Sequence, residues 1–239
     1  MKYLAALLVA ASLLSACTVV PETVARRDSG PARMSTGGPS APAARGPALT
    51  QRPMAVRPEA AQCLAQLNQA GAQFTPVNDA YFGNGCSTVG TVQLAALSGD
   101  NARLAVSNIG PVQCGVGSAF AAWARFGVDR AARQILGSPL QRIETFGSYS
   151  CRTVAGSQRM SAHATAGAID ISAFVLEDGR RIVIAQDWNN GTAAEKEFLR
   201  TVQQSACRRF DTVLGPAYNA AHHDHFHVEG VLEGNSFCR

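Results

Sequence analysis

The hydrophobic and polar positions of this chain follow a helical period in some segments and a strand period in others. Apolar residues recur every three to four positions in segments 59–69 and 118–136, which predicts one amphipathic and one largely buried helix. A third helix is predicted for residues 192–207, where Thr192 and Glu195 have the spacing of a capping box. The first helical pattern places the start of the folded domain near residue 58.

Short runs that alternate between apolar and polar residues predict the strands. These runs are separated by turns that contain Gly, Asn, Asp or Pro, and they cover residues 91–97, 103–106, 141–146, 168–174, 181–185, 211–214 and 224–228. The first two flank the sequence Ser-Gly-Asp-Asn and should form a hairpin. Helices that surround a mainly antiparallel sheet make an α+β domain over residues 58–239.

The first 57 residues do not continue these patterns. Lys2 precedes an apolar run and then Leu14-Ser-Ala-Cys17, which together have the features of a secretory signal. The sequence Leu14-Ser-Ala-Cys17 resembles the lipobox of bacterial lipoproteins, which implies a signal peptide over residues 1–16 and lipidation of Cys17. Cleavage at a nearby alanine by ordinary signal processing is the alternative. We expect a lipid-anchored protein of the bacterial periplasm, at the outer membrane because Thr18 rather than Asp follows the cysteine.

Residues 17–57 are rich in Pro, Ala, Gly, Ser and Arg, and they contain few aliphatic side chains. Such a segment cannot offset its own ordering entropy, so we expect a flexible tether. The chain has 21 basic and 17 acidic side chains, but Lys2 and six arginines precede residue 58, together with Glu22 and Asp28. The folded part keeps 14 basic and 15 acidic side chains, so nothing there indicates nucleic-acid binding.

Six cysteines remain beyond Cys17, and an even number in an exported chain predicts three disulfides. Sequence neighbours close short local loops, each of which stabilises by roughly 2–4 kcal/mol. The expected pairs are Cys63–Cys86, Cys114–Cys151 and Cys207–Cys238. No Cys-x-x-Cys spacing is present, which argues against a thiolate zinc site.

The histidines are the strongest chemical signal, because four of the five lie between His222 and His227. In a strand over 224–228, His225 and His227 share one face while Phe226 points into the core. Two imidazoles held side by side on a rigid strand suit metal binding. The remaining histidine, His163, lies in the only other segment with comparable chemistry.

Asp170 follows His163 by seven residues and lies between two isoleucines of a predicted strand. A carboxylate in such a place costs several kcal/mol unless it is paired or binds a metal. His163, Asp170 and a histidine of the strand over 224–228 would supply three donors and leave a fourth position for water, the pattern of a catalytic zinc site. We therefore expect the two segments to meet around one divalent ion, with Zn²⁺ the predicted cofactor.

Several separated motifs resemble the bacterial extensin-like C-terminal domain family over roughly residues 60–239. They are Tyr149-Ser-Cys151-Arg152, Ser161-Ala-His163, Ala168-Ile-Asp170, Asp187-Trp188, Leu214-Gly-Pro216 and His222-x-x-His225-Phe-His227. The spacing around the histidines is also similar to that of zinc D-Ala-D-Ala metallopeptidases and murein endopeptidases. This resemblance implies the hedgehog/D-Ala-D-Ala peptidase fold, and it makes His163, Asp170 and His227 the metal ligands.

The resemblance also implies roles for the neighbouring residues. His225 would be the base, His222 would support the site or stabilise an oxyanion, and Arg152 would hold a substrate carboxylate or polarise its carbonyl. Ser161 would bind substrate or orient the adjacent histidine. Asp224 stands where many of these carboxypeptidases carry Glu, which leaves the identity of the base open between His225 and Asp224.

Zinc-dependent hydrolysis of peptidoglycan peptides is the function that these features predict, in a monomer attached to the membrane through its N-terminal lipid. Two other classes of function compete with it. One is a metal-containing module that binds the cell wall without turnover. The other is a disulfide-stapled envelope lipoprotein whose histidines are structural.

Overall fold

The computed structural model describes residues 58–239. The expectations for the signal peptide, for lipidation of Cys17 and for the tether lie outside the described residues. The first half of the fold contains α1 (Pro58–Gln69), β1 (Gln73–Pro76), β2 (Tyr81–Gly83), β3 (Cys86–Ser87), β4 (Thr91–Ser98), β5 (Arg103–Ser107), β6 (Pro111–Gln113) and α2 (Cys114–Trp123). No helix between residues 58 and 239 combines the length and apolar character that crossing a bilayer requires.

The second half begins with two π-helical segments, Ala124–Asp129 and Ala132–Leu136, which continue α2. The elements that follow are β7 (Leu140–Gly147), β8 (Ala168–Leu176), β9 (Arg181–Val183), α3 (Ile184–Asn190), α4 (Ala193–Ala206), β10 (Thr212–Leu214), β11 (Phe226–Glu229) and β12 (Phe237–Cys238). Short 3₁₀ turns at Ala162–Thr165 and Ala220–His222 precede β8 and β11.

Ten strands form one mixed sheet in the order β1-β4-β5-β7-β8-β11-β10-β12, with β6 beside β4 and β9 beside β8. Most pairs are antiparallel, but β5 runs parallel to β7 and β10 runs parallel to β12. The predicted α+β class is confirmed, and the two parallel pairs make the sheet mixed. β2 and β3 form a separate two-stranded sheet.

The core lies where α2, its π-helical continuation and α4 pack together over the sheet. Trp123 is fully buried, meets Phe174 of β8 and Phe210 edge to face, and donates its indole N–H to the Val202 carbonyl at 3.0 Å. The capping box at the start of α4 is confirmed, since the Thr192 hydroxyl accepts from the Glu195 amide and the Glu195 carboxylate accepts from the Thr192 amide.

Several element boundaries differ from the sequence prediction. The central helix begins at Cys114 rather than at Ser118, and the strand predicted for residues 181–185 ends at Val183, where a helix over residues 184–190 begins. The last predicted strand begins at Phe226, so His225 lies one residue before it. The strand Phe237–Cys238 was not predicted, because two residues carry no readable period and pair only through their tertiary neighbour β10.

The disulfides correct two of the three predicted pairs. The structure joins Cys63 to Cys114 and Cys86 to Cys151, so the predicted pairs Cys63–Cys86 and Cys114–Cys151 are wrong. The pair Cys207–Cys238 is confirmed. Loop length did not decide the pairing, because α1 packs against α2 and the β2–β3 hairpin lies against the segment that follows β7. Tertiary packing therefore brought together cysteines that are 51 and 65 residues apart.

Candidate metal centre

Two neighbouring strands and one turn position the three predicted ligands. β8 and β11 pair antiparallel, and their register places Asp170 directly opposite His227. His163 lies in the 3₁₀ turn just before β8, and its backbone N–H donates to the Oγ of Ser161, which caps that turn. Residues far apart in the sequence thus meet at one end of the β8–β11 pair.

The potential ligand atoms of His163, Asp170 and His227 form a compact group. The Nε2 of His163 lies 3.2 Å from Oδ2 of Asp170 and 3.2 Å from Nδ1 of His227, and that Nδ1 lies 2.9 Å from Oδ1 of Asp170. A tetrahedral ion with ligand bonds of about 2.0–2.1 Å separates its ligand atoms by about 3.3 Å. This buried group therefore fits a divalent metal ion in both spacing and donor type.

Hydrogen bonds on the far side of each ring select the nitrogen that faces the group. The Nδ1 of His163 lies 3.2 Å from the Ser148 carbonyl, which can only accept, so Nδ1 carries a hydrogen and Nε2 is the nitrogen that faces the group. The Nε2 of His227 donates to the Glu229 carboxylate at 3.1 Å, which leaves Nδ1 toward Asp170. A carboxylate or carbonyl behind a metal-binding histidine fixes both its tautomer and its ring orientation.

The same contacts shift the pKa values of the group when no metal is bound. Burial opposes ionisation of Asp170, but the hydrogen bonds from His163 and His227 outweigh it and hold the pKa of that carboxyl well below its ordinary value. Burial alone would lower the pKa of His227, but its bonds to Asp170 and Glu229 raise it to about 9. The His227 bond in turn lowers the pKa of Glu229. A metal on Nδ1 of His227 must therefore displace a proton at neutral pH.

His225 adjoins the group without belonging to it. Its Nδ1 lies 2.8 Å from Oδ1 of Asp224, and its Nε2 points toward Asp170, with 3.5 Å between Nε2 and Oδ1. The His225 side chain is only 11% exposed, whereas the Asp224 side chain is 32% exposed. Asp224 thus contacts the far nitrogen of His225, and the near nitrogen faces the ligand atoms.

His222 and His223 lie differently although they are adjacent. The His222 ring is half-buried, with its centroid 5.2 Å from that of His225, and its Nδ1 lies 2.7 Å from the Asn219 side-chain oxygen. Burial, and then the nearby His225 and His227, lower the pKa of His222 to about 4, so it is neutral at physiological pH. The His223 side chain is 71% exposed and turns away toward the Ala220 carbonyl.

A cleft of about 360 Å³ opens onto these side chains. Its lining includes Arg152, Arg159 and Ser161 from the segment before β8, and Tyr218 and His222 from the segment before β11. A larger depression of about 530 Å³ lies over the Cys63–Cys114 disulfide, but among residues 58–239 Glu59 is the only ionisable side chain that lines it. The smaller cleft therefore contains the reactive chemistry.

The structure brings the predicted catalytic, substrate-binding and metal-ligating residues to this cleft or to the side chains that line it, and it adds four that sequence reasoning missed. The additions are Glu229, Arg159, Tyr218 and the carbonyl of Ser148. Glu229 has a readable signal, because it follows His227 by two residues on the same strand and so shares its face. The Ser148 carbonyl has none, since any residue type supplies that group.

The family described as Extensin-like protein C-terminus matches residues 61–239 of the 239-residue chain. The chain belongs to this family. The extensin-like match includes every residue of the candidate metal centre. No curated protein and no solved structure shows a match. Kinship with the zinc D-Ala-D-Ala peptidases therefore stays a prediction from the motifs.

Proposed function

We propose that this extensin-like domain is a zinc-dependent amide hydrolase that acts on peptidoglycan peptides in the bacterial envelope. The observation that supports it most directly is the convergence of His163, Asp170 and His227 beside His225 at an open cleft. Three protein ligands that face a cleft are typical of catalytic zinc, whereas structural zinc sites are closed by four.

The donor set favours zinc over the hard cations. Two imidazole nitrogens and one carboxylate suit Zn²⁺, whereas Ca²⁺ and Mg²⁺ prefer ligand sets made of oxygen. When bound, zinc would polarise the scissile carbonyl and make an attacking water more acidic. Asp170 would contribute the negative charge of the ligand set, because its pKa keeps it ionised over the whole physiological range.

His225 is the better placed of the two candidates for the general base. Its Nε2 faces the ligand atoms, while Asp224 accepts a hydrogen bond from Nδ1 and so keeps Nε2 free to take a proton. The Asp224 carboxylate would stabilise the imidazolium that forms. His225 would then return the proton to the leaving amine, and Asp224 would act by positioning His225.

Arg152 and His222, which both line the cleft, would bind the substrate. The Arg152 guanidinium is exposed and lies 3.5 Å from the Thr153 carbonyl, so it has freedom to pair with a substrate carboxylate. A neutral His222 spends its one ring hydrogen on the Asn219 side-chain oxygen, so its Nε2 would support the site by accepting a hydrogen bond from the substrate. Ser161 is 7% exposed and its Oγ already accepts the His163 N–H, which supports its role in orienting His163.

Three disulfides support a place in an oxidising compartment, which for this chain we take to be the periplasm. The signal sequence and the lipidated Cys17 would anchor a monomer to the outer membrane. A tether between the anchor and the domain would let the cleft reach cell-wall peptides.

Digestion of purified sacculi tests the proposal. Zinc-loaded wild type should release new free amines, separable by chromatography, and His225→Ala should release few although it still binds zinc. His223→Ala is the matched control, because the side chain it removes faces solvent. Identical products from wild type and His225→Ala would overturn the proposal. Full zinc loading without products would instead identify a metal-containing module that binds the cell wall without turnover.

A further inference from the structure

The β2–β3 hairpin presents large apolar side chains to solvent. All three residues of β2 are exposed, with Tyr81 at 79% and Phe82 at 57%. The hairpin pairs with no strand of the main sheet, yet Cys86, which follows its turn, is buried in the disulfide with Cys151. Core stability does not explain why a covalently held element turns its aromatic rings outward.

The hairpin packs on the segment that supports the metal centre. The Phe82 ring lies 5.7 Å, between centroids, from the ring of Tyr149. The next residue, Ser150, donates its N–H to the His163 carbonyl at 3.0 Å, and Arg152, just beyond the disulfide, lines the cleft. The exposed rings are therefore continuous with the wall of the cleft through one short stretch of chain.

Another exposed ring, that of Phe146, lies a few residues before Tyr149 in the same segment. Phe146 is 57% exposed and meets His225 edge to face, with 6.0 Å between the ring centroids. The segment from Phe146 to Arg152 thus carries aromatic rings at its start and in its middle, and a cleft residue at its end. A polymer whose reacting group entered the cleft would pass over this segment.

The charge pattern of the hairpin restricts what can bind there. No Asp, Glu, Lys, Arg or His lies between Asp79 and Asp100, and polar groups in and beside the hairpin are the Tyr81 hydroxyl and the side chains of Asn84, Ser87 and Thr88. An anionic lipid surface or an anionic polymer would be attracted by lysines and arginines, which this stretch lacks. Flat rings beside amide and hydroxyl groups instead suit a neutral sugar, whose ring C–H faces are apolar and whose substituents form hydrogen bonds.

We propose that Tyr81 and Phe82, with Tyr149 behind them, bind the neutral N-acetylated sugar chain that carries the peptide substrate. The inference rests on the proposed function, which supplies the reason for such a polymer to lie beside the cleft. It extends that function by naming the substrate class, namely peptides still attached to their glycan strands rather than free peptides. The disulfide Cys86–Cys151 would hold the sugar-binding rings in register with the cleft.

Binding to peptide-free glycan strands tests the inference separately from catalysis. The full-length protein, treated with a chelator to remove metal, is titrated with glycan strands stripped of peptide and with a soluble tetramer of N-acetylglucosamine. We expect wild type to bind both, and the double variant Tyr81→Ala/Phe82→Ala to bind at least about tenfold more weakly, as truncation of aromatic anchors does elsewhere. Near-UV circular dichroism checks that the variant keeps its fold.

Phe126→Ala is the matched control. Phe126 is 43% exposed and lies on the first π-helical segment, far from β2 in the sequence. The Arg130 guanidinium lies over its ring, 4.8 Å from the ring centroid. Equal glycan binding by wild type and the double variant would overturn the inference, as would binding only to free stem peptide or to anionic phospholipid vesicles. Glycan binding without hydrolysis of sacculi would leave the inference standing and remove the proposed function.

Discussion

Asp170 lies directly opposite His227 in the β8–β11 pair, and its Oδ1 is 2.9 Å from the Nδ1 of His227. Cross-strand partners on one face are the closest neighbours that a sheet offers, so the contact is set by backbone register. His163 then joins the pair from the turn before β8. Two of the three potential ligands are therefore preorganised by hydrogen bonds of the main chain, which reduces the entropy cost of binding an ion.

Asp170→Asn should abolish tight metal binding. The amide keeps the size of the side chain but removes the anionic donor. Loss of a group that only hydrogen-bonds to a ligand lowers metal affinity by up to about 100-fold, so loss of a ligand should lower zinc affinity by more than that. Competition with a chromophoric chelator measures it. Asp178→Asn is the control, because Asp178 pairs with Arg180 in an exposed turn. Comparable zinc affinity in the two variants would contradict the ligand assignment.

Glu229→Gln should weaken metal binding without removing it. The glutamine oxygen can still accept from Nε2 of His227, but the negative charge that makes the ring a stronger ligand is lost. We expect zinc affinity about tenfold lower, and lower still for Glu229→Ala, by the same competition measurement. Glu233→Gln repeats the chemical change at an exposed position of the next loop and should match wild type. A Glu229→Ala variant that binds zinc like wild type would show that Glu229 does not position His227.

Metal binding should release about one proton near pH 7.5. With its pKa raised to about 9, His227 is protonated there in the metal-free protein, and coordination through Nδ1 displaces that proton. Zinc affinity should therefore rise with pH up to about 9 and then level off. Calorimetric titrations in buffers of different ionisation enthalpy count the protons. Absence of proton release would mean that His227 is neutral before the metal binds.

The same raised pKa should make the stability of the metal-free protein fall as the pH rises, whereas zinc affinity rises with pH. A histidine whose pKa is about 9 when folded and about 6.5 when unfolded stabilises the fold fully below pH 6.5. That contribution is lost as the pH rises from 6.5 to 9. The thermal unfolding midpoint of the metal-free protein should therefore fall over this pH window. Saturating zinc should reverse or flatten the trend. A His227→Gln variant should lose the dependence.

Asp129→Ala should destabilise the fold far from the metal centre. The Asp129 carboxylate is fully buried, accepts the Leu140 N–H at 3.0 Å and pairs with Arg133 at 3.2 Å. Removing it leaves buried partners without their acceptor, so we expect the free energy of unfolding to fall by about 3 kcal/mol. Denaturant unfolding with the disulfides intact measures this, and Asp178→Ala, which removes an exposed ion pair, should cost much less. Equal losses would show that Asp129 is not a buried anchor.

The sequence alone indicated the α+β class, the helix ending near Gln69, the capped helix α4 and the hairpin of β4 and β5, because each follows a local period or cap. It also identified the ligand candidates, since few residue types bind metals and these cluster in two short motifs. The Cys207–Cys238 pair could also be predicted from the sequence, because these two neighbouring cysteines are only 31 residues apart.

Only the tertiary structure decided which cysteines pair in the remaining two disulfides and which nitrogen of each histidine faces the ligand group. It also placed the outward-facing rings of Tyr81 and Phe82 beside the cleft. Each of these depends on the approach of segments that are distant in the chain, and local periodicity contains no information about that approach. Chemical identity was therefore readable from the residues, whereas orientation and partnership came from packing.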